Sequence, residues 1–119
     1  MDLEELLDRY EQPSHRGRQA VPPAHLASAS NPRCGDVISM FVTVEDERLV
    51  RVSFVGSGCT ISQAAADVTS EMAEGLALTA ALELGVDAVL DRLGRDAVRT
   101  RLDCASLGLH TLHHALRLA

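Results

Sequence analysis

The sequence contains no tryptophan, one tyrosine, two phenylalanines and no lysine; all 11 cationic side chains are arginine. Without lysine there is no Schiff-base former and no amine base, so lysine chemistry is excluded. Aromatics at 3% provide no stacking platform for bases, and a net charge of −6 with no basic stripe argues against nucleic acid as a partner. No apolar run approaches the roughly 20 residues that span a bilayer, so no membrane segment is expected. The opening Met1-Asp2-Leu3-Glu4-Glu5 lacks a charged n-region followed by an apolar core, so it does not read as a signal peptide. These absences describe a soluble, cytoplasmic chain. They also leave the core to Leu, Val, Ala and Ile, with close small-residue packing.

With 119 residues the chain is read as one domain spanning 1–119. That length buries a core without covalent staples. Leu3, Leu6, Leu7 and Tyr10 recur at helical spacing and predict an amphipathic first helix, stopped by Pro13 and Gly17. Residues 14–23 read as a loop, followed by an extended piece at His25–Ala29. Ile38, Met40, Val42 and Val44 alternate along a strand from Asp36 to Val44. After a turn at 45–48, a second strand runs from Leu49 to Val55, with Val50, Val52 and Phe54 placed on its inner face.

A helix is expected from about Cys59 to Glu74, with Thr60 and Gln63 as a capping box and Ile61, Ala64, Ala65, Val68 and Met72 as its apolar stripe. Shorter helices are expected at Thr79–Leu84 and Val86–Leu93. A last helix starts near Asp103, with Leu107, Leu112, Ala115 and Leu116 inward. The fold class is therefore α+β: a small antiparallel sheet of about three strands, preceded by one helix and covered on one face by C-terminal helices.

Cys34, Cys59 and Cys104 are the chain's three cysteines, an odd number. Reducing surroundings disfavour disulfides, so ligand, nucleophile and inert core thiol are the readings to weigh. Each cysteine stands where an element begins or ends. Cys34 precedes Gly35-Asp36, Cys59 follows Gly56-Ser57-Gly58, and Cys104 opens the final helix. Thiols at helix N-termini are biased toward thiolate, the form that binds metal and attacks sulfur. Spacing alone leaves the choice open. The gaps are 24 and 44 residues and no Cys-x-x-Cys pair exists, which argues against a zinc ribbon or a thioredoxin-type pair.

Asn31-Pro32-Arg33-Cys34-Gly35-Asp36, Gly56-Ser57-Gly58-Cys59-Thr60-Ile61-Ser62 and Arg101-Leu102-Asp103-Cys104-Ala105-Ser106-Leu107 resemble three signature segments of the U-type iron–sulfur cluster assembly proteins (IscU, SufU and the N-terminal part of NifU). Asp8-Arg9-Tyr10-Glu11-Gln12-Pro13 with Gly17 is similar to that family's N-terminal Asp-His-Tyr-x-x-Pro segment, with Arg9 where His is usual. The likeness spans essentially the whole chain.

The resemblance implies Cys34, Asp36, Cys59 and Cys104 as a ligand set for a transient [2Fe-2S] cluster or for Zn2+. Three thiolates suit either cargo, and a harder carboxylate exchanges more readily. Arg33 and Arg101 stand near enough in sequence to offset the charge of such a set; solvated surface is their other reading. The resemblance also implies a scaffold or sulfur-transfer protein rather than a turnover enzyme. It would take persulfide sulfur from a cysteine desulfurase, with Cys34 and Cys104 as candidate acceptors, and serve recipient apo iron–sulfur proteins. A SufU-like zinc-dependent sulfurtransferase and a non-catalytic zinc-binding module are the alternatives. The implied state is a monomer or weak homo-oligomer.

Several residues depart from the family pattern. Asp103 stands where the scaffold branch has His, and is read either as a further hard ligand or as a helix cap. Arg101 fits the arginine that the SufU-like branch carries three positions before its last cysteine, yet the 44-residue gap is too short for that branch's insertion. Ala97-Val98-Arg99-Thr100-Arg101 replaces the scaffold branch's Leu-Pro-Pro-Val-Lys, so no Hsp70-type chaperone is expected as a partner. His110, His113 and His114 form a second candidate metal cluster, against the reading of a polar helix face. Asp67 and Glu71 read as a solvent-facing acidic pair.

Overall fold

The computed structural model describes residues 1–33 and 35–119. Cys34 lies outside the described residues. Helix α1 (Leu3–Glu11) begins on a reciprocal cap. The Asp2 carboxylate accepts the Glu5 N–H at 2.9 Å, and the Glu5 carboxylate accepts the Asp2 N–H at 3.3 Å. Of the four apolar residues expected to face inward, only Leu6 is buried; Leu3, Leu7 and Tyr10 are exposed. α1 packs mainly on one later helix (Thr60–Ala73), and half-buried Arg9 occupies part of that contact.

Strands β1 (His25–Asn31), β2 (Asp36–Glu45) and β3 (Arg48–Ser57) form an antiparallel sheet in the order β1-β2-β3. The extended piece anticipated at His25–Ala29 is β1, two residues longer. Ile38, Met40 and Val42 face Gly56, Phe54 and Val52 across the β2–β3 register. The register then slips: Thr43 pairs with Arg51, but Val44 pairs with Leu49. Val50 is the extra residue of this bulge, so it turns out to solvent and Leu49 turns in. This corrects the inward placement of Val50, because strict alternation misplaces a residue wherever a bulge intervenes.

The loop before β1 covers the outer edge of β3. His15 O accepts the Phe54 N–H at 3.0 Å, and the Gly17 N–H donates to Phe54 O at 2.8 Å. Gln19 then reaches across the sheet, donating to Ser53 Oγ at 2.9 Å and accepting from Thr43 Oγ1 at 2.6 Å.

Helix α2 (Thr60–Ala73) is the centre of the molecule. Every residue from 62 to 70 is buried, not merely an apolar stripe. The sheet and the last helix flank one side, while α1 and a later helix flank the other. Residues 64–66 are all alanine, so neighbours approach closely. The anticipated Thr60–Gln63 capping box is absent: Cys59 is the N-cap and no side chain caps the helix.

Three short helices follow: α3 (Leu78–Glu83), α4 (Val86–Leu93) and α5 (Arg95–Val98). Helix α6 (Leu102–Arg117) then runs back across the sheet and α2. A Cβ on Gly108 of α6 would stand 3.0 Å from Ala66 Cα, so glycine permits this crossing. Leu107, Leu112, Ala115 and Leu116 are buried, as their spacing implied. Among the described residues, no helix is long and apolar enough to cross a membrane.

His113 of α6 is half-buried against the end of α3, where its Nε2 lies 3.1 Å from Ala81 O. Burial pushes its pKa below the ordinary 6.5; the Ala81 carbonyl opposes this, and the charges of Arg117 and His110 reinforce it. The unfolded chain therefore takes up the proton first. The stabilisation is present above the unfolded value and is lost as pH falls through 6.5 toward the lower folded value. Thermal midpoints measured from about pH 7.5 down to about pH 5.5 should fall more steeply for the native chain than for His113→Gln. Parallel slopes would contradict this.

Candidate metal centre

Three ends of secondary structure meet at one point. Asp36 is the first residue of β2, Cys59 is the N-cap of α2, and Cys104 lies in the first turn of α6. One ligand atom from each lies within 4.8 Å of the others, and this is the only such group of His, Cys, Asp or Glu among the described residues. The sequence separates these side chains widely; the sheet end and two helix starts bring them together.

Asp36 is completely buried. Its Oδ1 accepts the Cys59 N–H at 2.7 Å, and its Oδ2 lies 3.7 Å from Cys59 Sγ. One oxygen is thus committed to the start of α2, while the other faces the thiol. This contact requires Gly58, whose φ of +132° disfavours side chains and whose added Cβ would overlap the Asp36 carboxylate. Gly56 is constrained too, because a Cβ there would lie 2.8 Å from Ile38 Cδ1. The glycines of Gly56-Ser57-Gly58 therefore allow the strand to pass tightly over β2 before α2 begins. Cys59 is half-buried and Cys104 is buried. Asn31, paired with Asp36 across β1 and β2, places its Nδ2 4.0 Å from Cys104 Sγ. Asn31 opens the Asn31-Pro32-Arg33-Cys34-Gly35-Asp36 segment, but no role at the site was read for it from the sequence.

Asp103 lies outside this group and is exposed. It does not cap α6 either: Arg101 is the N-cap position, and Asp103 sits within the first turn, where negative charge meets the positive helix end. His110 and His114 are exposed on α6, and His113 is held against α3, so no histidine joins the centre. Arg101 lines an apolar cleft of about 260 Å³ beside Cys59, formed with Leu3, Leu6, Leu7, Thr60 and Ile61. Arg33 lines a different cleft, beside Cys104.

Asp67 overturns the solvent-facing expectation, because it is completely buried. It accepts from Arg9 Nη1 at 3.1 Å, from the His15 N–H at 2.7 Å and from Ser14 Oγ at 3.3 Å. It thereby ties α1 and the following loop to α2. Glu71 stays at the surface between Arg9 and Arg92. Burial alone would raise its carboxyl pKa, but the charge of Arg9 and the bond from Arg92 leave it below the ordinary value. Arg9, which stands where the resembling family usually has His, neutralises the buried Asp67 charge, a role its sequence position did not announce.

The fold and this centre define a small α+β protein with a candidate Asp–Cys–Cys metal site at the edge of its sheet. Residues 1–118 match the family described as the NifU-like N terminal domain, and the chain belongs to that family. It is 27% identical to the iron–sulfur cluster assembly scaffold protein IscU 1 of Archaeoglobus fulgidus, over 98% of this chain and 74% of that protein. It is 27% identical to the zinc-dependent sulfurtransferase SufU of Bacillus subtilis, over 66% of this chain and 52% of that one. A crystal structure described as a putative SUF-system scaffold from Fervidobacterium islandicum shares the fold, with a TM-score of 0.80 at 22% identity over 95% of this chain and 94% of that chain.

Gly58→Ala should cost about 2–3 kcal/mol, since it combines a strained φ with displacement of Asp36. Gly85→Ala, where nothing stands within 4 Å, should cost under about 1 kcal/mol. Equal losses in chemical denaturation would contradict the tight passage at Gly58.

Proposed function

We propose that the chain is a scaffold and sulfur acceptor for iron–sulfur cluster assembly, with Cys34, Asp36, Cys59 and Cys104 as its ligand set. The observation that carries this reading is the convergence of Asp36, Cys59 and Cys104 within 4.8 Å from three separate elements. Cys34, two residues before Asp36, supplies the third thiol by sequence. The donor set fits the cargo: thiolates hold iron or zinc firmly, and one harder carboxylate makes release easier. With Asp36 Oδ1 bound to the Cys59 N–H, Oδ2 is the oxygen left for a metal.

Sulfur delivery is thiol exchange. A thiolate of Cys34 or Cys104 attacks the outer sulfur of a persulfide on a cysteine desulfurase. The S–S bond breaks, the desulfurase cysteine leaves as thiolate, and the outer sulfur stays on this chain as persulfide. Cys104 is 1% exposed, so it accepts sulfur only when the wall around the start of α6 yields. Ferrous iron, with two electrons per sulfur supplied by an external reductant such as excess free thiol, turns that sulfur into the bridging sulfide of a [2Fe-2S]-type cluster, which is relayed to recipient apo iron–sulfur proteins in the reducing cytoplasm without an Hsp70-type chaperone.

A second reading keeps the site and changes the cargo. The similarity to SufU and the place of Arg101 before Cys104 favour a zinc-dependent sulfurtransferase that never carries a cluster. Zinc at about one per chain, together with faster desulfurase turnover, is its signature.

Anaerobic incubation with iron, cysteine and a desulfurase tests the first reading. The expected result is a visible iron–sulfur chromophore and protein persulfide, both lost when Cys34 and Cys104 are replaced by Ala. Absence of chromophore and persulfide alike would overturn it; persulfide with bound zinc and no chromophore would select the second.

A further inference from the structure

A cleft next to the metal centre gathers charges that form no ion pair among the described residues. Asn31 at the end of β1, Arg33 just beyond it, and Arg99, Thr100, Leu102 and Asp103 around the start of α6 line an open cleft of about 290 Å³. That is room for roughly ten waters at about 30 Å³ each. None of the ion pairs among the described residues involves Arg33, Arg99 or Asp103. Arg9, Arg92 and Arg95, by contrast, each bind carboxylates. Two guanidiniums and one carboxylate, all three exposed and hydrated, thus border one open cleft without pairing with each other.

The pattern selects a class of ligand. An inorganic anion would suit the guanidiniums but be repelled by Asp103. A simple amine would suit Asp103 but be repelled by Arg33 and Arg99. A zwitterion with a carboxylate at one side and an ammonium at the other matches all three. Asn31 fixes the orientation, since its Nδ2 is 4.0 Å from Cys104 Sγ and the cleft therefore adjoins the thiol centre.

We propose that this cleft is a docking subsite for a free thiol-bearing α-amino acid. The carboxylate is held between Arg33 and Arg99, the ammonium faces Asp103, and the sulfur end points toward Asn31 and Cys104. The subsite brings a small thiol to the edge of the sulfur centre.

Amide NMR shifts of the metal-free, reduced chain test this on titration with L-cysteine and with S-methyl-L-cysteine, which has no thiol to bind metal or form a disulfide. Both should give saturable shifts centred on Arg33 and residues 99–103. Cysteamine, which lacks the carboxylate, and 3-mercaptopropionate, which lacks the ammonium, should bind at least about tenfold more weakly. So should L-alanine, which lacks sulfur. Arg33→Gln and Arg99→Gln should each weaken L-cysteine about tenfold. Asp103→Asn should weaken L-cysteine while strengthening 3-mercaptopropionate, whose carboxylate the aspartate repels.

No saturable shift with L-cysteine would overturn the proposal. So would equal affinity for inorganic phosphate or for L-alanine, or arginine variants that bind as the native chain does. The ligand series on the native chain stands even if a variant folds poorly. Because the readout needs no metal, cluster or desulfurase, its failure leaves the donor set standing, and failure of cluster assembly leaves the cleft standing.

Discussion

The site depends on one bond: the buried Asp36 carboxylate accepting the Cys59 N–H. A carboxylate removed from water needs a donor, and the first N–H groups of a helix have no partner of their own. Each satisfies the other here, so the start of β2 is locked to the start of α2. Gly58 makes the lock possible, because any side chain at that position would take the carboxylate's place. The same lock leaves one Asp36 oxygen turned toward the Cys59 sulfur, so the structural contact and the proposed ligand role share one side chain without competing for one atom.

The remainder of the fold holds α2 and α6 where that lock needs them. Few aromatics are available, so the centre is built by close approach of small residues: Ala66 of α2 against Gly108 of α6. A helix buried on every side carries its polar residues inward as well. Ser70 bonds back to Ala66 O, and Asp67 gathers Arg9, Ser14 and His15. The buried acid fastens the otherwise thinly packed α1 over the Cys59 end of α2, and α1 in turn walls the apolar cleft beside Cys59 with exposed Leu3 and Leu7.

Much of this was legible in the residues. The two hairpin strands, α2, α4 and α6 were marked by periodicity and glycine stops, and the sheet with helices on one face followed from their order. The alternation that located β2 and β3 could not reveal the bulge, because one inserted residue at Val50 reverses inside and outside with no change in composition. Four apolar residues on α1 implied a wide buried face, but α1 rests mainly on α2 and buries only Leu6. Asp67 read as solvated because its partners, Arg9 and the His15 backbone, are remote in sequence. Of the candidate ligands, Cys59 and Cys104 were singled out by their places at element starts, while Asp36 was named only through the family resemblance. Asn31 was not named, since an asparagine at a strand end carries no distinctive signal.

The central claim is that distant thiols and one carboxylate share a single coordination centre. X-ray absorption of the metal-loaded native chain measures this directly. The expected spectrum for zinc has a shell of three sulfurs at about 2.3 Å and one oxygen at about 2.0 Å, with one sulfur fewer in Cys59→Ser. A shell of nitrogen and oxygen only, or one unchanged by Cys59→Ser, would contradict the account.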